Sequence, residues 1–83
     1  MYKRQSLYKM RANLELEQNL PDAALLDLEE ALKLDARDAD TYVMMGDIYL
    51  QMEKKHDASE AYEKAISLGI PRPELMEKIK KCK

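Results

Sequence analysis

Residues 39–71 read ADTYVMMGDIYLQMEKKHDASEAYEKAISLGIP, and their spacing decides the fold. Tyr42, Met45, Tyr49 and Met52 recur at steps of three, four and three, which places them on one face of an α-helix. A charged break, Glu53-Lys54-Lys55, follows. Ala58, Tyr62 and Ala65 then form a second stripe, which Gly69 ends as a left-handed C-cap and Pro71 as a stop. Two helices joined by so short a break must pack antiparallel.

Working outward, the chain matches itself at one fixed offset, the one that lays Ala24 on Ala58. At that offset Ala24, Glu29, Ala31 and Leu34 return as Ala58, Glu63, Ala65 and Leu68, while Leu28 is replaced by Tyr62 and Leu32 by Ile66. A helix thus runs to about Leu34, with Pro21 in its first turn. Asp35-Ala36-Arg37-Asp38 is the loop that follows, and Asp38 is a candidate N-cap. Residues 3–18 predict another helix, and Asn19, which tolerates a left-handed turn, closes it. Its register stays open. Leu7, Met10 and Leu14 are its buried stripe if the loop near Asn19–Asp22 holds one extra residue; without that residue Tyr8 and Ala12 match, and Arg11 and Glu15 fall on core positions. A fifth helix begins near Pro73, with Leu75, Met76 and Ile79 expected inward as a capping edge.

Gly46 stands in mid-helix, where it costs about 1 kcal/mol relative to alanine, so a close helix approach is expected there. The expected partner is Ala58, with Ala12 and Ala24 as the counterparts upstream. Ala31 and Ala65 are expected to let each second helix accept the first helix of the next unit.

Composition bounds the function. Eighty-three residues make one domain at most, with a thin core. Apolar residues at 46% and charged residues at 36% argue against both a disordered tail and a membrane protein. The net charge of −2 leaves no basic field for nucleic acid, and the terminal Lys78, Lys80, Lys81 and Lys83 suit the end of a helix macrodipole. A single cysteine, Cys82, permits no internal disulfide and no thiolate metal site. No apolar run approaches the ~20 residues of a membrane span and the first residues lack a signal peptide's apolar stretch, so a cytoplasmic location is the default expectation.

Tyr42, Met45, Gly46, Tyr49, Ala58, Tyr62, Ala65, Leu68 and Pro71 stand in the order and spacing of a tetratricopeptide repeat, which residues 39–71 resemble nearly end to end. Residues 5–38 resemble a second copy. Glu53 departs from the pattern, since the family prefers glycine in that turn, and a strained or remodelled turn is expected. The resemblance implies an all-α fold of five helices: hairpins at about 5–38 and 39–72 and a capping helix at about 73–83, in one right-handed superhelical domain.

The resemblance also implies a concave wall built from the first helix of each hairpin. On it would stand Ser6, Lys9, Met10, Asn13, Leu16 and Glu17 from the first, and Asp40, Val43, Met44, Asp47, Leu50 and Gln51 from the second. Val43, Met44 and Leu50 are expected as an exposed apolar strip, and methionine adapts to varied partners. An adaptor that holds a peptide or partner helix follows from this. The competing expectation is self-association, in which the same strip joins two copies or missing repeats. Some family members clamp acidic chaperone tails with lysine, asparagine and arginine. Lys9 and Asn13 resemble that set, but Met44, Glu74 and Lys78 do not, which argues against the clamp.

Catalysis has no residues to stand on: no catalytic set, no cofactor loop and no metal site is expected. His56 reads as a surface or capping residue, and Cys82 as an edge contact of the last helix.

Overall fold

The computed structural model describes residues 4–82, with side chains from Leu7 onward, so Ser6 of the expected wall and Lys83 of the terminal lysine cluster lie outside the described side chains. Five α-helices and no strand occur among the described residues. They are α1 (Arg4–Glu17), α2 (Pro21–Leu34), α3 (Ala39–Gln51), α4 (Lys55–Ser67) and α5 (Arg72–Lys80). Two compact units result, Met1–Arg37 with α1 and α2, and Asp38–Lys83 with α3, α4 and α5.

The turns explain why each pair closes into an antiparallel hairpin. Asn19 has φ 62° and Glu53 has φ 63°, both left-handed, and each follows the last turn of its helix. The amide of Leu20 donates to the Glu15 carbonyl at 2.8 Å, and that of Lys54 to the Tyr49 carbonyl at 2.8 Å. This six-to-one bond satisfies a carbonyl that the helix end leaves orphaned. Gly69, at φ 125°, ends α4 the same way, with the Ile70 amide donating to Ala65 at 3.1 Å. Only Gly69 has glycine's freedom. Glu53 holds the left-handed conformation at a steric cost, as its departure from the repeat pattern implies.

Asn19 and Glu53 make the same turn and are separated by the same offset as Ala24 and Ala58, so no residue is inserted between α1 and α2. This settles the register of α1. Ala12 is fully buried and Tyr8 half-buried, while Leu7, Met10 and Leu14 are 56%, 62% and 57% exposed. The apolar stripe that the register with an insertion would bury therefore points outward from its own hairpin. Arg11 and Glu15 take the positions facing α2, where they meet Asp27, itself buried at 7% exposure. Arg11 donates to both Asp27 oxygens, at 2.8 and 3.0 Å, and lies 5.5 Å from the Tyr8 ring. A bidentate arginine–carboxylate fork supplies two charge-assisted hydrogen bonds at a place where the register offers no apolar side chain.

In the first unit Ala24, Leu28 and Ala31 are fully buried; in the second Ala58, Tyr62 and Ala65 are. The stripes on α2 and α4 thus stand as the spacing predicts. On α3 Met45 is buried and Tyr42 and Tyr49 pack, half-buried, against the α4–α5 cluster, so these residues of the expected stripe face inward; Met52 is half-buried, and Thr41 and Ile48 are fully buried as well. Asp38 caps α3 as predicted, accepting from the Asp40 amide at 3.1 Å and from the Thr41 hydroxyl at 2.9 Å. The bond to its hydroxyl lets Thr41 be fully buried without an orphan polar group.

Ala58, Tyr62 and Ala65 share one cluster with Leu75 and Ile79 of α5, so Ala65 does accept the following helix. Met76, expected inward, is 39% exposed. The reason is angular: Leu75, Ile79 and Cys82 keep helical spacing toward α4, and one residue on from Leu75 rotates Met76 away from that line.

Candidate partner-binding face

Gly46 positions the polar centre of the second unit. A Cβ at that position would lie 2.5 Å from Cε1 of Tyr62 and 2.8 Å from Cδ1 and Cζ, so the close approach exists. The atoms nearest to that Cβ belong to the Tyr62 ring, a contact that the sequence reading, with Ala58 as the expected partner, did not foresee. With no side chain in the way, the buried ring crosses beneath α3, and its hydroxyl donates to Asp47 Oδ1 at 2.5 Å. Burial first, and then the bond to Asp47, hold the phenol far above its ordinary pKa. Tyr62 therefore serves as a neutral donor.

Asp47 also receives Lys78 from α5, whose Nζ donates to Oδ1 at 3.0 Å and to Oδ2 at 3.1 Å. The same ammonium sits 6.0 Å from the centre of the Tyr62 ring. Three helices thus meet at one carboxylate: α4 supplies the phenol, α5 the cation and α3 the acceptor. In the sequence Lys78 belonged to a terminal lysine run and to a poor match with the chaperone clamp; its place here depends on α5 packing onto α4.

Around this centre, Val43 and Leu50 of α3 are half-buried and packed against the α4–α5 cluster, and Met44 is half-buried. The strip expected to be exposed is thus partly covered by its own unit. Asp47 and Gln51 remain open to solvent on the same helix. In the first unit Asn13 is exposed and Lys9 half-buried, whereas Met10 belongs to the outward stripe with Leu7 and Leu14.

The residues weighed for chemistry fall elsewhere. His56 is exposed at the start of α4, with Nε2 3.6 Å from Glu60. Cys82 packs against the α4–α5 cluster, and burial raises its thiol, away from the thiolate that nucleophilic attack requires. Among the described residues no three or more His, Cys, Asp or Glu side chains are grouped to hold a metal, and no helix is long and apolar enough to cross a membrane.

The helix pair α3–α4, its left-handed turn and its glycine contact coincide with residues 39–68, which match the tetratricopeptide repeat family. The chain carries a tetratricopeptide repeat. The five helices fit two such repeats followed by a terminal helix, and the tetratricopeptide repeat is a non-catalytic module that generally mediates protein–protein interaction. The chain is also similar to serine/threonine-protein phosphatase T of Trypanosoma brucei brucei (strain 927/4 GUTat10.1), 32% identical over 78 residues. The aligned span is 94% of this chain but 16% of that protein, so the repeat chain spans a small part of the relative's length.

Proposed function

We propose that this chain is an adaptor that holds a segment of a partner protein against α3 and α5 of its second unit. The supporting observation is the carboxylate centre at Asp47. Its neighbours on α3 offer apolar area from Val43, Met44 and Leu50 and an exposed amide from Gln51, while Lys78 supplies a cation. Apolar area beside a few oriented polar groups is the composition that gives a peptide site both grip and register. Asp47 and Lys78 already neutralise each other, which favours a partner segment that is apolar with neutral polar edges over a strongly acidic one. Lys9 and Asn13 of α1 are proposed to play the corresponding part on the first hairpin.

No catalytic role is proposed. The phosphatase similarity covers too little of that protein to carry its activity across.

A photo-crosslinking side chain at exposed Gln51, compared with one at exposed Glu60, tests the site without disturbing the core. Crosslinks to a discrete partner from Gln51 and not from Glu60 are the expected result. Equal yields from both positions refute the assignment of this face.

A further inference from the structure

The two hairpins are built differently at one place between their helices. Arg11, Glu15 and Asp27 of the first stand where the second, one repeat on, has Met45, Tyr49 and Ala61. Met45 and Ala61 are buried, and Tyr49 packs against the α4–α5 cluster. The first hairpin thus sets two carboxyl groups and a guanidinium where the second sets a thioether, a phenol ring and a methyl group.

Those charges do not balance. Arg11 is committed to buried Asp27, with Nε donating to Oδ2 at 3.0 Å and Nη2 to Oδ1 at 2.8 Å. Glu15 is left without a donor, and its Oε1 is buried with no hydrogen-bond partner. The charged groups that act on Glu15 are Asp27 from α2, the helix packed against α1, and Arg11 from α1 itself, whose guanidinium also lies over the Tyr8 ring. Fully ionised, this cluster holds two negative charges against one positive. A single proton on the carboxyl pair restores neutrality and lets Glu15 donate to Asp27. Two acids that share a site cannot both ionise freely, and the proton between them belongs to the pair.

We propose that a proton shared by Glu15 and Asp27 holds the first hairpin closed, and that this hairpin loosens without the second when the proton passes to solvent. Glu15 is held above the ordinary glutamate range, mainly by its bond to Asp27. A raised folded value contributes stability that is present at low pH and lost as pH rises through it. Asp27, held low by Arg11, sets the other limit: in stronger acid it takes up a proton as well, and the fork is lost. The first hairpin is therefore tightest in mild acid. No carboxyl or guanidinium stands at the matching positions of the second hairpin, so it lacks this dependence. The device is separate from the Asp47 centre and stands or falls independently of partner binding there.

Hydrogen exchange followed amide by amide on the whole chain tests it, with rates corrected for the pH dependence of exchange in an unfolded chain. A His56→Gln background removes the chain's single histidine from the comparison. From mild acid to neutral pH, protection at Ala12 and Leu28 is expected to fall, by at most about tenfold per pH unit for one proton, while protection at Met45 and Tyr62 holds. Glu15→Gln, which keeps a neutral donor, should make the first hairpin's protection level over the same range. Arg11→Met with Glu15→Tyr and Asp27→Ala installs the second hairpin's own residues and should be level too. Wild-type protection that does not change with pH, or that falls equally in both hairpins, overturns the proposal. So does a fall that persists in Glu15→Gln or in the triple variant, because the proton would then sit elsewhere.

Discussion

Replacing Gly46 by alanine puts a methyl carbon 2.5 Å from Cε1 of Tyr62, well inside van der Waals contact. The ring has little room to yield, being fully buried and tied through its hydroxyl to Asp47. Overpacking a filled core costs about 1–3 kcal/mol. If the ring moves instead, the bond to the Asp47 carboxylate weakens, and hydrogen bonds to charged groups are worth about 1.5–3 kcal/mol. Alanine returns about 1 kcal/mol in helix propensity. A net loss of about 2 kcal/mol follows, or a fall in Tm of about 8–16 °C for a domain of this size. Thermal melts followed by far-ultraviolet circular dichroism measure it. The first hairpin supplies the control, since it buries Ala12 and Leu28 where the second has Gly46 and Tyr62. In a Tyr62→Leu background Gly46→Ala should therefore cost little, leaving a coupling of about 2 kcal/mol in the double-mutant cycle. A Gly46→Ala melt at or above wild type, or strictly additive changes, would refute the glycine–tyrosine contact as the reason for the glycine.

Two further substitutions read the turns and charges. Glu53→Gly relieves the left-handed strain at φ 63° and should raise stability by about 1 kcal/mol, read as a higher Tm; an unchanged or lower Tm would show that the turn carries no such strain. Glu15 has a buried Oε1 without a hydrogen-bond partner, and its carboxyl is held above the ordinary range, mainly because the protonated form donates to Asp27. With its folded pKa raised, Glu15 favours folding at low pH, and that contribution is lost as pH climbs through the raised value. Glu15→Gln keeps a neutral donor at every pH, so it should melt higher than wild type at neutral pH, and the gap should close on acidification. Asp27 works in the opposite sense: Arg11 holds its carboxyl low, so its contribution is present at neutral pH and lost as pH falls through that lowered value. A gap independent of pH would rule out Glu15 as its source.

Much of this protein was legible in one dimension because the physics involved is local. Helical spacing marked five helices, Asp38 and Gly69 marked their ends, and the self-match of Ala24 through Leu34 with Ala58 through Leu68 marked the repeat. Ala24, Ala31, Ala58 and Ala65 were recognisable as contact points, since only small side chains let helices approach closely. The register of α1 was not. Two helical stripes were available there, and the more apolar one lost because the turn at Asn19 holds no extra residue and Asp27 gives Arg11 a partner 16 residues away. Burial of a charge becomes tolerable only when its partner arrives, and sequence spacing does not report that arrival.

The candidate site divides the same way. That Val43, Met44, Asp47, Leu50 and Gln51 share one side of α3 was an expectation that the resemblance to the repeat family supplied. That Asp47 is the meeting point of Tyr62 and Lys78 was not legible, because those residues come from α4 and α5, and Lys78 is 31 residues away. The sequence by itself determined an all-α repeat of short hairpins, since each helix, cap and small contact depends on residues a few positions apart. Only the tertiary structure decided which face of α1 turns outward and which groups meet at the carboxylate, because both depend on side chains brought together from separate helices.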